Sequence, residues 1–104
     1  MPLQAVCRGV VIAESDDVVV LEGSRYFPVD AVEPEHLRPS DLRTVCPWKG
    51  TASYYDLVVD GDVLPHAAWR YAAPSMAAYQ ILDRVAFSSA VRVRRARTQP
   101  PSDE

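Results

Sequence analysis

Ala52-Ser53-Tyr54-Tyr55-Asp56-Leu57-Val58-Val59-Asp60-Gly61-Asp62-Val63-Leu64 is the stretch that decides the fold. From Ala52 to Val59 it is rich in aromatic and β-branched residues, which suit a pleated, half-buried strand. Asp60-Gly61 between two apolar runs has the chemistry of a two-residue hairpin turn, so Asp62-Val63-Leu64 is expected to fold back as the partner. Tyr54 and Tyr55 must then point to opposite faces, and at most one of them can reach a given site.

The same signals continue on both sides. Upstream, Gly9 to Ser15 reads as a buried strand, Asp16-Asp17 as a turn, and Val18-Val19-Val20-Leu21-Glu22 as the second strand of that hairpin. Gly23-Ser24 turns again, and Arg25-Tyr26-Phe27-Pro28 is a short strand that Pro28 ends or marks as an edge. From Asp30 to Arg43 the pattern breaks. Pro34 and Pro39 exclude a long helix, Pro34-Glu35-His36-Leu37 suits one helical turn, and Ser40-Asp41-Leu42 is expected to start another. Downstream, Ala67-Ala68-Trp69-Arg70-Tyr71 reads as a further short strand. Pro74-Ser75 opens the one helix, Met76 to about Asp83, with Met76, Tyr79 and Leu82 on its buried face. Val85-Ala86-Phe87 and Ala90 to Arg94 close the sheet, with Val91 and Val93 inward and the arginines outward. The fold expected is mainly β with one short helix near the C-terminal third. Residues 1–98 form a single domain, and the polar, Pro-rich 99–104 are a disordered tail.

A chain of 104 residues that is 48% hydrophobic fits one domain with one core. A net charge of −3 argues against nucleic acid as the partner, because binding phosphates needs a basic field. Arg92, Arg94, Arg95 and Arg97 cluster near the end, and this run reads as a solvated strand face. No apolar run is long enough to cross a bilayer, and the start does not have the pattern of a signal peptide, so the expected compartment is the cytoplasm, with no membrane partner. Cys7 and Cys46 should then be unbonded thiols. With His36 and His66 they lack the close spacing of zinc ligands, so no metal is expected, and nothing calls for a cofactor.

The residues that could carry chemistry centre on Thr44-Val45-Cys46-Pro47-Trp48-Lys49-Gly50. Lys49 is the only lysine, against ten arginines. A compact ammonium and a planar guanidinium are not interchangeable at a shaped site, so a lone lysine here points to a site. Lys49 can hold a phosphate or carboxylate as a point charge, and Gly50 lets backbone approach closely. The ordinary alternative is a surface lysine that holds a loop. The segment has no phosphate-loop frame. Cys46 could have its thiolate stabilised by Lys49, although a small buried hydrophobe is the commoner fate of a free cysteine. Trp48, Tyr54, Trp69 and Tyr71 combine an apolar body with a polar tip, which suits the wall of a ligand cleft, but they suit a core equally well. His66 could serve as a base near neutral pH, or bond to backbone. Too many serines and aspartates are present for any Ser-His-Asp set to stand out.

Read together, Gly9-Val10-Val11-Ile12-Ala13-Glu14-Ser15, Tyr26-Phe27-Pro28, Thr44-x-Cys46-Pro47-Trp48-Lys49-Gly50-Thr51-Ala52-x-Tyr54, Ala68-Trp69-x-Tyr71-x-x-Pro74 and Val85-Ala86-Phe87 resemble the bacterial domain of unknown function 427. The likeness runs from about Arg8 to Val93. It implies a β-tent-like fold, two antiparallel sheets meeting at an angle, similar to methionine sulfoxide reductase B and the ligand-binding domain of cereblon. Relatives of that fold often carry a four-cysteine zinc, which this chain lacks. They often bind small ligands in an aromatic-lined cleft, for which Trp48, Trp69 and Tyr54 could supply walls here. Members of the family carry the label nucleotidyltransferase, but this chain has no Gly-Ser motif or paired aspartates for two-metal chemistry. The reading is a domain binding a small polar or anionic molecule through Cys46, Trp48, Lys49, Gly50, Tyr54, Trp69 and Tyr71. The alternatives are a protein-interaction module and a thiol-dependent enzyme using Cys46.

Overall fold

The computed structural model describes residues 2–96; the expected tail, 99–104, and Arg97 lie outside the described residues. The Asp60-Gly61 turn forms as expected, both residues having positive φ, 51° and 81°. It joins β6 (Gly50–Val59) to β7 (Asp62–Tyr71), which pair antiparallel from Val59 with Asp62 through Ala52 with Tyr71. β7 is one strand where the sequence suggested two, because Pro65-His66 is absorbed as a bulge opposite Asp56. His66 takes a φ of +57° there, and its backbone N–H donates to Asp56 Oδ1 at 3.0 Å.

Around this hairpin β3 (Val19–Leu21), β4 (Ser24–Pro28), β8 (Arg84–Phe87), β7, β6 and β5 (Leu37–Cys46) form a six-stranded sheet in that order. β2 (Val10–Ser15), β1 (Leu3–Cys7) and β9 (Arg92–Arg95) form a second, three-stranded sheet. All the pairings are antiparallel, so the protein is mainly β with two antiparallel sheets.

Three expectations change. The Val18 segment does not pair with β2. Glu22-Gly23, with φ of 52° and 79°, makes the tight turn and couples β3 to β4, while the chain after Ser15 crosses between sheets. Ser40-Asp41-Leu42 is no helical turn; it is a bulge within β5, where Ser40 Oγ accepts the Leu42 N–H at 3.1 Å. The helix is replaced by a 3-10 segment, Met76–Ile81, broken at Ala78. Its buried residues are Ala78 and Ile81, while Met76 is 92% exposed and Tyr79 62%. Ala78 has only a methyl group to hold it off the sheet, so the segment presses close there, while its larger neighbours Met76 and Tyr79 lie outward. The turn expected at Pro34 is present as a 3-10 turn, Pro34–His36.

Alternation divides the core. Phe27, Leu57, Ala68 and Val85 face the three-stranded sheet and meet Ala5, Cys7, Ile12 and Ala13. Each fully buried large side chain among these contributes about 1.5–3 kcal/mol. Tyr26, Ala52, Tyr71 and Ala86 face the other way and are covered by Ala78 and Ile81. Tyr55 packs with the first cluster and Tyr54 with the second, so adjacent tyrosines do lie on opposite faces.

Candidate functional site

The second face carries most of the residues singled out in the sequence. Cys46 closes β5, Gly50 opens β6, and the two pair across the hairpin end. Gly50 has a φ of +117°, and a Cβ there would meet the Ala73 carbonyl oxygen at 3.2 Å. Only glycine fits, which lets the turn lie against the following segment: the Ser75 N–H donates to the Lys49 carbonyl at 2.9 Å, and the Ser75 hydroxyl donates to that of Trp48.

This staple buries Lys49, which is 8% exposed. Its ammonium pairs with the Glu22 carboxylate and lies 5.1 Å from the Trp48 ring centre and 5.6 Å from that of Tyr71. Trp48 Nε1–H donates to the other Glu22 oxygen at 3.2 Å. Burial works against the lysine's charge, but the Glu22 carboxylate and the groups around it outweigh burial and hold its pKa above the ordinary range. The Lys49 hydrogen bond, joined by that from Trp48, holds Glu22 below the usual carboxylate range. Glu22 was not legible as a site residue, being one more turn carboxylate 27 residues from its partner.

Cys46 is half-buried beside this pair, and Cys7 lies in the other core; both are free thiols, as expected. The backbone N–H groups of Trp48 and Lys49, and the lysine's charge, lower the Cys46 pKa, whereas burial raises that of Cys7. Tyr71 is buried, and burial raises its pKa. Tyr54 shares a hydrogen bond with Thr44 at 3.1 Å and lies 6.1 Å from the Trp69 ring. Trp69 Nε1–H donates to the Tyr26 hydroxyl at 3.3 Å.

The Lys49 ammonium, expected to face a cleft, is enclosed by Glu22, Trp48 and Tyr71. Trp69 does line a recess of about 340 Å³, with Gly23, Ser24, Arg25, Phe87 and Ser88 among its other walls. It opens where β4 and β8 splay: they pair only at Phe27–Val85 and Pro28–Arg84. The Arg25 guanidinium has no partner among the described residues, so it is free to meet an anion.

His66 and Asp56 do come together with Ser40. Yet Ser40 Oγ, at 3.0 Å, and Asp56 Oδ1, at 3.8 Å, both address Nδ1, so no relay runs through the ring. Among the described residues no three His, Cys, Asp or Glu side chains gather to hold a metal, and no helix is long and apolar enough to cross a membrane.

The model of a family described as a domain of unknown function (DUF427) matches residues 1–98. The chain belongs to the DUF427 family. None of the curated proteins matches it. In this DUF427 domain the Cys-Pro-Trp-Lys-Gly motif thus builds a braced hairpin turn behind the aromatic face, and Trp69, among the expected site residues, lines a recess.

Proposed function

We propose that this is a small-ligand-binding domain of the bacterial cytoplasm, and that its ligand is an anion with a flat apolar body. The observation that supports this reading is the recess in which Trp69 and Arg25 line one space. The indole offers a flat wall, kept in place by its bond to Tyr26. Phe87, Val91 and Val93 add apolar surface. Arg25 offers a planar fork suited to a carboxylate or phosphate. A few polar groups on an apolar lining are the usual make-up of a small-molecule site. Cys46, Trp48, Lys49, Gly50, Tyr54 and Tyr71 then act from behind, bracing the face on which Trp69 and Tyr26 sit. The cytoplasmic part of the reading is supported by the two unbonded cysteines, and the bacterial part by the family resemblance.

Titration of ¹⁵N-labelled protein with benzoate, indole-3-acetate and phenyl phosphate tests this. Saturable shifts are expected at the Trp69 indole N–H and at the amides of Gly23, Ser24 and Ser88, and Arg25→Ala should abolish them. No saturable shift with any of the three, or binding that survives in both Arg25→Ala and Trp69→Ala, would count against the reading.

A further inference from the structure

A second recess, of about 400 Å³, lies at one end of the three-stranded sheet. Its walls come from the β1–β2 turn (Arg8, Gly9), the loop before β9 (Ser89, Ala90) and β9 itself (Arg92, Arg94), with Val6 among its apolar walls. Arg92 pairs with Val6 and Arg94 with Gln4 across the β1–β9 ladder, so the strand period sends both guanidinium groups to one face. Arg8 joins them from the turn, where it takes a φ of +52°. Three arginines that the sequence spreads over eighty-odd positions therefore border one space, a convergence that a merely solvated strand face does not require.

Their charges are only partly answered. Arg8 pairs with Asp62 at 2.7 Å, an exposed contact that water screens. Arg94 Nε–H donates to the side-chain oxygen of Gln4 at 3.1 Å, and Gln4 in turn donates to Glu14 at 2.9 Å, so the Glu14 carboxylate reaches Arg94 only through Gln4. Arg92 has no partner among the described residues, and neither has the Ser89 hydroxyl. The recess thus has three guanidinium groups against one directly paired carboxylate, with an unengaged hydroxyl beside them.

We propose that this recess binds the phosphoryl group of a small molecule. Guanidinium forks match the spaced oxygens of a phosphate, and several forks converging on one pocket favour a di- or polyanionic group over a single carboxylate. The net charge of −3 makes the rest of the surface a poor match for long polyanions and favours a small soluble ligand. Ser89 also lines the Trp69 recess, which makes the two sites neighbours around the end of β9. The phosphoryl site stands independently of the anion reading at Trp69, because it is built from different arginines.

The test is a ¹⁵N titration with inorganic phosphate and with pyrophosphate at low ionic strength. Saturable shifts are expected at Gly9, Ser89 and Ala90, stronger with pyrophosphate and weakened by added salt. Arg92→Gln should weaken pyrophosphate binding by about tenfold, and Arg92→Gln with Arg94→Gln by more. Arg95→Gln, on the opposite face of β9, should leave it unchanged, and a thermal melt checks that each variant is folded. Absence of saturable shifts, or an equal loss from Arg95→Gln, would overturn the proposal. Shifts confined to Trp69, Gly23 and Ser24 would overturn it too, while leaving the first recess standing.

Discussion

The lone lysine is a buried, paired cation. Its ammonium is closed in by Glu22, Trp48 and Tyr71. Lys49→Arg is therefore expected to lose about 1–3 kcal/mol of stability in a denaturant melt, because the larger planar head must be forced into a filled slot. An unchanged melt would show that the slot is open. The same pair sets a pH dependence. Glu22 has its folded pKa depressed, so the stability it contributes is complete above the ordinary glutamate range and is lost as pH falls through its folded value. Urea melts between pH 7 and pH 3 should show wild type converging on Glu22→Gln as acid is added. A stability difference that stays constant with pH would contradict this. The uniqueness of Lys49 could be seen in the sequence, and its partner could not. Nothing local to Leu21-Glu22-Gly23 distinguishes that carboxylate from its neighbours, because the pairing is made by the fold.

At the scale of elements, the 3-10 segment Met76–Ile81 gives the clearest contrast. Ile81 is fully buried and Met76 almost fully exposed. Ile81→Ala should cost about 2–5 kcal/mol, and Met76→Ala should fall within about 0.5 kcal/mol of wild type. Equal effects in thermal melts would mean that the segment packs on its other side. A strand with strong aromatic and β-branched content that leads into a turn of positive-φ residues, such as β6, could be read directly, and so could the start of its partner. The bulges at Ser40–Leu42 and Pro65–His66 could not. Each mimics a strand end in sequence, and only the partner strand shows that the ladder resumes beyond it. β1 escaped notice because Leu3-Gln4-Ala5-Val6-Cys7 has only one β-branched residue and no aromatic to mark it as a strand. Its partners lie at positions 10–15 and 92–95, the second far along the chain.

Across the whole molecule, two sheets leave one core between them and a second under the 3-10 segment, and the recesses open at strand ends. Of the site expected from the sequence, Trp69 lines such a recess, while the Cys46–Gly50 turn braces the layer beside it. Arg25 could not be picked out from ten arginines, because what distinguishes it is the splay of β4 from β8 beside Trp69. A small anion held in this recess is what the proposed function requires. The most direct measurement is native mass spectrometry of the protein purified from its own host, wild type beside Arg25→Ala and Trp69→Ala. A retained small acidic compound is expected on the wild type and is expected to be missing from both variants. The same adduct on all three proteins, or none on the wild type, would contradict the proposed function.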